Sequence, residues 1–153
     1  MINFLLVTLL LISGVISFYS YRQLYRHKNL FSDRFGFNVA LTASTAVSLS
    51  ISILLFLLHP NIHLVGSINI LLGIFIGLLF GSLVNTQTIV AGVYNGGVSG
   101  IMGTMIGAVA YDPSICGLPF TESLQQTTVM YFGIGSFILF LLTIRLLHFS
   151  LRV

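Results

Sequence analysis

Soft-ligand side chains lie near the ends of several apolar segments in this chain. They are histidines, methionines and the single cysteine: His59, His63, Met102, Met105, Cys116 and Met130. Thioether, thiol and imidazole groups are the ligands that suit Cu(I), and the three-residue step from Met102 to Met105 places both on one helical face. The set predicts a site for Cu(I) or a similar soft metal. Methionine also fills gaps in apolar cores, so simple packing is the competing interpretation.

Catalytic groups are sparse in this sequence. An enzyme would need a nucleophile beside a base, or a pair of carboxylates. Asp112, Cys116 and Glu122 share one loop, but no recognisable catalytic motif surrounds them. The glycine-rich stretch also lacks the lysine that a phosphate-binding Walker loop requires. We therefore predict a non-enzymatic protein without a resident cofactor, unless the soft-metal site is real.

The elements that must position these groups are apolar. The hydrophobic share is 56% and only 6% of the residues are charged, whereas a soluble domain carries about 25% charged residues. A transmembrane helix needs about 20 mainly apolar residues. Five stretches qualify, namely 2–19, 37–58, 64–84, 89–110 and 128–144. The sequence predicts an all-α fold, in which residues 1–153 form a single integral membrane domain with five transmembrane helices.

Basic residues indicate how this domain is oriented. The first loop carries a basic cluster interleaved with aromatic residues: Arg22, Arg26, Lys28 and Arg34. Arg145 and Arg152 follow the last apolar stretch, and the other loops hold no Lys or Arg. By the positive-inside rule, the first loop and the C-terminus are cytoplasmic and the N-terminus is outside. We expect a bacterial cytoplasmic membrane. The cluster anchors the chain at the interface or, alternatively, contacts anionic lipid headgroups. It is too small to indicate nucleic-acid binding.

Two glycine ladders occupy the third and fourth apolar stretches. The third contains Gly66, Gly73, Gly77 and Gly81, and the fourth contains Gly92, Gly96, Gly100, Gly103 and Gly107. Steps of three, four and seven residues place each ladder on one helical face. In lipid, where no hydrophobic effect drives helices together, such small-residue faces permit close packing. Since only residues 85–88 join the stretches, we predict a tight antiparallel pair. Asn69 lies on the same stripe and should fix the register near Gly103 and Gly107.

Polar side chains accompany the ladders. Asn95 and Ser99 either line a polar path or have side chains satisfied by nearby backbone carbonyls. The Asn95-Gly96-Gly97 triplet either breaks the helix or belongs to a continuous, tightly packed one. Serines at positions 44, 48 and 52 are expected to bond back to their own helix. No Asp, Glu, Lys or Arg lies within the stretches, which disfavours a proton-coupled pump.

These patterns lead to three functional hypotheses. The first is a small membrane protein that works as a channel-like or accessory subunit, built on a glycine-zipper helix hairpin. The second is a soft-metal binding or transport protein that uses the Met, His and Cys set. The third is a small membrane enzyme that acts at the outer face. The lipid bilayer is the expected environment, and a homo-oligomer or a larger membrane complex is the expected assembly.

Overall fold

The computed structural model describes residues 2–27, 33–117 and 122–150, and these residues are helical almost throughout. The long helices are α1 (Ile2–His27), α2 (Asp33–Leu58), α3 (Ile62–Gly81), α4 (Thr86–Tyr111) and α5 (Glu122–Ser150). A short 3-10 helix, Pro113–Cys116, lies between α4 and α5. Within these residues, five helices are long and apolar enough to cross a membrane. The predicted all-helical class with five such helices is therefore confirmed.

The helix ends differ from the ends of the predicted apolar stretches for two reasons. Polar residues extend a helix beyond its apolar stretch, or a cap ends the helix earlier. α1 runs on past Tyr19 to His27, because Arg and Gln are good helix formers whatever their hydropathy. α3 ends at Gly81, where the Ser82 N–H donates to the Leu78 carbonyl. α4 already begins at Thr86. Residues 82–85 therefore make the connection, rather than the predicted 85–88.

Two clusters of buried apolar side chains mark the two ends of the bundle. One cluster joins Leu24 of α1, Phe80 of α3 and Leu147 of α5. The other joins Leu6 of α1 to Ala110 of α4, together with residues of α2 and α5. Since Leu6 and Leu24 lie at opposite ends of α1, the clusters form separate layers. Each long helix therefore runs antiparallel to the one before it.

Arginines collect at the end of the bundle that contains Leu24 and Leu147, which we call the basic end. Within the described residues the arginines are Arg22, Arg26, Arg34 and Arg145. They lie in the last two turns of α1, the first turn of α2 and the last two turns of α5, and all these segments meet at this end. The opposite end carries Asp112, directly after α4. The arginines of the described residues are thus confined to one end of the bundle.

α2 lies at the centre of the bundle. It is the most buried of the five helices and contacts all four others, while α3 and α4 share the most extensive contact. α1 and α5 are peripheral. The outward faces are apolar, with exposed Phe4, Leu71, Phe75 and Leu139 among many others. An apolar exterior on helices of this length supports a membrane-integral protein.

Candidate functional site: the glycine-lined core

Glycines bring α3 and α4 into direct backbone contact. A Cβ atom added at Gly77 would lie 2.1 Å from the carbonyl oxygen of Gly92, and one added at Gly92 would lie 2.5 Å from that of Gly77. Gly73 and Gly96 form an equivalent pair, with distances of 2.2 and 2.1 Å. No larger side chain fits at these positions unless a helix moves. Such close approach favours van der Waals contact and weak Cα–H···O contacts between the helices.

The same contact continues for one turn on either side. A Cβ atom added at Gly81 would lie 2.7 Å from the Thr88 carbonyl oxygen, and one added at Gly100 would lie 2.4 Å from the Asn69 carbonyl oxygen. The contact between the two backbones therefore runs from the α3–α4 turn to Gly100, well over half the length of α4.

Beyond Gly100 the glycines of α4 meet α2 instead of α3. A Cβ atom added at Gly103 would lie 2.6 Å from Cβ of Ser52, and one added at Gly107 would lie 2.8 Å from Cβ of Phe56. At Gly66, the first glycine of the α3 ladder, the nearest neighbour is a methyl group at 3.6 Å. α3 and α4 therefore diverge at this level and α2 fills the space. The glycine ladder of α4 packs against two helices, α3 and α2, whereas the sequence predicted packing against α3 alone.

Asn69 links all three core helices. Its side chain is fully buried, and Nδ2 donates to the Ser52 carbonyl of α2 at 3.1 Å and to Oγ1 of Thr104 in α4 at 2.9 Å. Thr104 in turn donates to the Gly100 carbonyl at 2.9 Å. The Asn69 Oδ1 atom has no hydrogen-bond partner within the described part of the chain. Because each donor position of the amide has a definite partner, the residue can fix the register of the three helices.

Ser48 supplies a second connection between helices, one that sequence reasoning missed. Its hydroxyl donates to the Gly96 carbonyl of α4 at 2.9 Å, beside the Gly73–Gly96 contact. Ser44 does bond back to its own helix, at the Leu41 carbonyl. The even four-residue spacing of these serines marks a buried face. It does not reveal which serine lies opposite an accessible carbonyl.

The polar stripe of α4 lies on a continuous helix, since α4 is unbroken from Thr86 to Tyr111. The Asn95 Nδ2 group donates to the Ala91 carbonyl at 3.0 Å, one turn earlier. Ser99 is buried. The Asn95 amide thus bonds to a nearby backbone carbonyl, which is the arrangement expected if Asn95 does not line a polar path. Three grooves of the described bundle lie elsewhere, along α5.

Residues of the soft-metal prediction are spread over the surface. Met102 and Met105 are exposed on α4, and Met130 is exposed on α5. His59 and His63 are also exposed, on either side of the turn before α3. Among the described residues no group of three His, Cys, Asp or Glu side chains comes together. The side chain of Cys116 lies outside the described part.

Asp112 has a structural partner in the loop after α4. Its carboxylate accepts hydrogen bonds from the backbone N–H of Ser114 at 3.0 Å and from the Ser114 hydroxyl at 2.6 Å. This arrangement caps the short 3-10 helix, which ends at Gly117 in the left-handed conformation. The side chain of Glu122 lies outside the described part, so no carboxylate pair is defined there.

The basic aromatic cluster lies where α1 and α2 approach each other. Arg22, Arg26 and Arg34 are exposed at the basic end, and Lys28 lies outside the described residues. The ring of Tyr21 packs edge-on against Phe80, with centroids 5.6 Å apart. Internal aromatic packing and exposed positive charge therefore coincide at this end of the bundle.

Comparison with known proteins does not place the chain in a family. No family model, curated protein or solved structure matches it.

Proposed function

We propose that this chain is a non-enzymatic integral membrane protein that serves as an accessory subunit of a membrane complex rather than as a pore. Its basic end would face the cytoplasm, as the positive-inside rule requires, in a bacterial cytoplasmic membrane. The observation that carries the proposal is the closed core. The backbones of α3 and α4 touch along the Gly77–Gly92 and Gly73–Gly96 pairs.

Along this contact there is no room for water between α3 and α4. A conducting path needs polar groups that face an open channel, because lipid and packed protein cannot solvate an ion. Here the Asn95 amide bonds to its own helix, and the hydroxyl of Ser48 bonds to the Gly96 carbonyl. These polar groups bond to the protein itself, which supports a structural role.

The surface beside α5 is the proposed binding site for the partner of such a subunit. A groove of about 590 Å³ runs between α2 and α5, and its largely apolar lining includes the small residues Ala46 and Gly135. At its base the two helices meet, where the buried Ser50 hydroxyl donates to the Ser136 carbonyl at 3.5 Å. A Cβ atom added at Gly135 would meet nothing within 4 Å. A neighbouring transmembrane helix usually packs against a helix face that carries small residues. We therefore place the partner helix in this groove.

Site-specific photo-crosslinking in native membranes tests the proposal. A photoreactive residue at Tyr131, which lines the groove, should yield a protein adduct of one defined mass. The same residue at Phe75, exposed on α3, is the matched control and should label lipid alone. Reconstituted protein should pass no ion current above that of empty vesicles. Discrete channel currents, or the same labelling at both positions, would contradict an accessory role.

A groove-filling variant sharpens this test. Gly135→Leu should remove the adduct while the protein still folds, because the added side chain enters open space. Gly14→Leu is the matched control, since Gly14 on α1 is equally open and lies outside the groove. If both variants lose the adduct, or neither does, the partner does not bind between α2 and α5.

A further inference from the structure

A second groove lies at the basic end, between the C-terminal halves of α1 and α5. Its volume is about 730 Å³. Its polar lining comprises Tyr19, Ser20 and Gln23 of α1 and Arg145 and His148 of α5. The rings of Tyr19 and His148 stack across it, with centroids 6.5 Å apart and planes 21° apart. The groove is therefore built by two helices, and its polar groups come from both.

Ser20 gives this groove an unfilled hydrogen-bonding site. The side chain is only 2% exposed, and its Oγ has no hydrogen-bond partner in residues 2–27, 33–117 and 122–150. Buried hydroxyls in folded proteins are nearly always paired. Ser13 and Ser17 on the same helix follow that rule by bonding to the Leu10 and Ser13 carbonyls. The hydroxyl of Ser20 differs from both and can donate to a ligand.

The polarity of the lining changes along the groove. Val15, Ile16 and Leu141 lie toward the middle of the bundle, whereas Gln23 and His148 lie toward its basic end. A phospholipid has the same polarity, with acyl chains toward the bilayer centre and a phosphate at the surface. Basic residues near helix C-termini are also favoured by the helix dipole, so charge alone does not define a site. Ser20, which is buried and has no hydrogen-bond partner among the described residues, lines the same groove as Arg145.

We propose that the α1–α5 groove binds the phosphate of a net-anionic phospholipid. Arg145 would pair with the phosphate, Ser20 and Gln23 would donate hydrogen bonds to its oxygens, and the apolar lining would receive the first part of an acyl chain. This site is distinct from the cluster of Arg22, Arg26 and Arg34, since none of those arginines lines the groove. It does not depend on the proposed role as a subunit.

Native mass spectrometry of the full-length protein tests the site with two probes that share the same acyl chains, phosphatidylglycerol and phosphatidylcholine. Loss of one charge-assisted hydrogen bond changes an equilibrium about tenfold, so Arg145→Gln should lower the preference for phosphatidylglycerol by about that factor. Arg26→Gln removes the same charge from an exposed position at the same end and should change the preference far less. Equal effects of the two substitutions would show that the attraction is non-specific and would overturn the proposal.

Ser20→Ala separates binding from folding. The variant should lower phosphatidylglycerol retention about tenfold, because a hydrogen bond to an anionic phosphate oxygen is charge-assisted. Its stability in neutral lipid should not fall, because the hydroxyl has no partner to lose. Ser17→Ala is the matched control and should leave lipid preference unchanged. If Ser20→Ala retains phosphatidylglycerol as well as the wild-type protein does, Ser20 is not part of a lipid site.

A water-soluble probe distinguishes a lipid from a free phosphate. Glycerol 3-phosphate at millimolar concentration should fail to displace bound phosphatidylglycerol, because the acyl chains hold the lipid in the apolar part of the groove. Full displacement would show that the anion alone suffices, and would overturn the assignment to a lipid.

Discussion

Substitution of neighbouring glycines of α4 tests the backbone contact with an internal control. Gly96 and Gly97 are adjacent in one helix, yet their surroundings differ. A Cβ atom at Gly96 would lie 2.1 Å from the Gly73 carbonyl oxygen, whereas one at Gly97 would meet only the Ile74 side chain, at 3.4 Å. Both changes to Ala give the same gain in helix propensity, about 1 kcal/mol. Any difference between the variants therefore reports the packing.

The expected magnitude follows from these distances. Accommodation of the methyl group at Gly96 requires α3 and α4 to separate by about 1 Å, and overpacking of this kind costs about 1–3 kcal/mol. The separation also weakens the bond from Ser48 to the Gly96 carbonyl, a contact worth about 0.6 kcal/mol between membrane helices. After the propensity gain, Gly96→Ala should lose about 1–2 kcal/mol of unfolding free energy. Gly97→Ala should lose none.

Unfolding in SDS followed by far-UV circular dichroism gives the comparison. Tryptophan fluorescence is not an option, since the chain has no Trp. Both variants should start with wild-type helix content, and the midpoint of Gly96→Ala should shift to lower SDS. The packing account is refuted if Gly96→Ala is as stable as Gly97→Ala.

Three further experiments probe the polar contacts and the soft-metal hypothesis. Asn69→Ala removes both hydrogen bonds from Nδ2 and should cost about 1–2 kcal/mol in the same SDS assay; an unchanged midpoint would mean that this residue does not hold the register. Ser48→Ala should destabilise the protein by about 0.6 kcal/mol and Ser44→Ala by less, because Ser44 bonds only within its own helix; the reverse order would contradict the assignment. Met102→Leu combined with Met105→Leu should leave silver binding, measured by calorimetry, unchanged, because no group of three His, Cys, Asp or Glu side chains comes together among the described residues to complete a site. Loss of stoichiometric binding would instead favour the soft-metal function.

The helices themselves could be predicted from the sequence, but their exact ends could not. The length of an apolar stretch shows how much of a helix lipid can cover, but not where the helix ends. The predicted stretches therefore stopped short of the end of α1 at His27 and extended beyond the end of α3 at Gly81. Helix ends depend on capping and propensity, which a hydropathy pattern does not contain. The positions of the apolar segments followed directly from composition, because charged residues are confined to the intervening loops and the helix ends.

The spacing of residues within a single helix could not predict that three helices form the core. Spacing placed Gly92 and Gly107 on one face of α4, and both are buried. Spacing did not show that α3 departs from that face near Gly66, or that Ser52 and Phe56 of α2 take its place. Helix crossing depends on the packing of all neighbours, so the role of Ser48 was hidden for the same reason. Asn69 stood out because an amide on a glycine stripe has few partners other than a facing helix.

Solid-state NMR of glycine-labelled protein in lipid bilayers tests the closed core most directly. The Gly96 carbons should show through-space correlations with Gly73 and Gly77, and Gly92 should show them with Gly77 and Gly81, because these backbones are in contact. The same carbons should receive little magnetisation from water. Strong transfer from water or from acyl chains to the Gly92 and Gly96 carbons, without correlations to α3, would contradict the account.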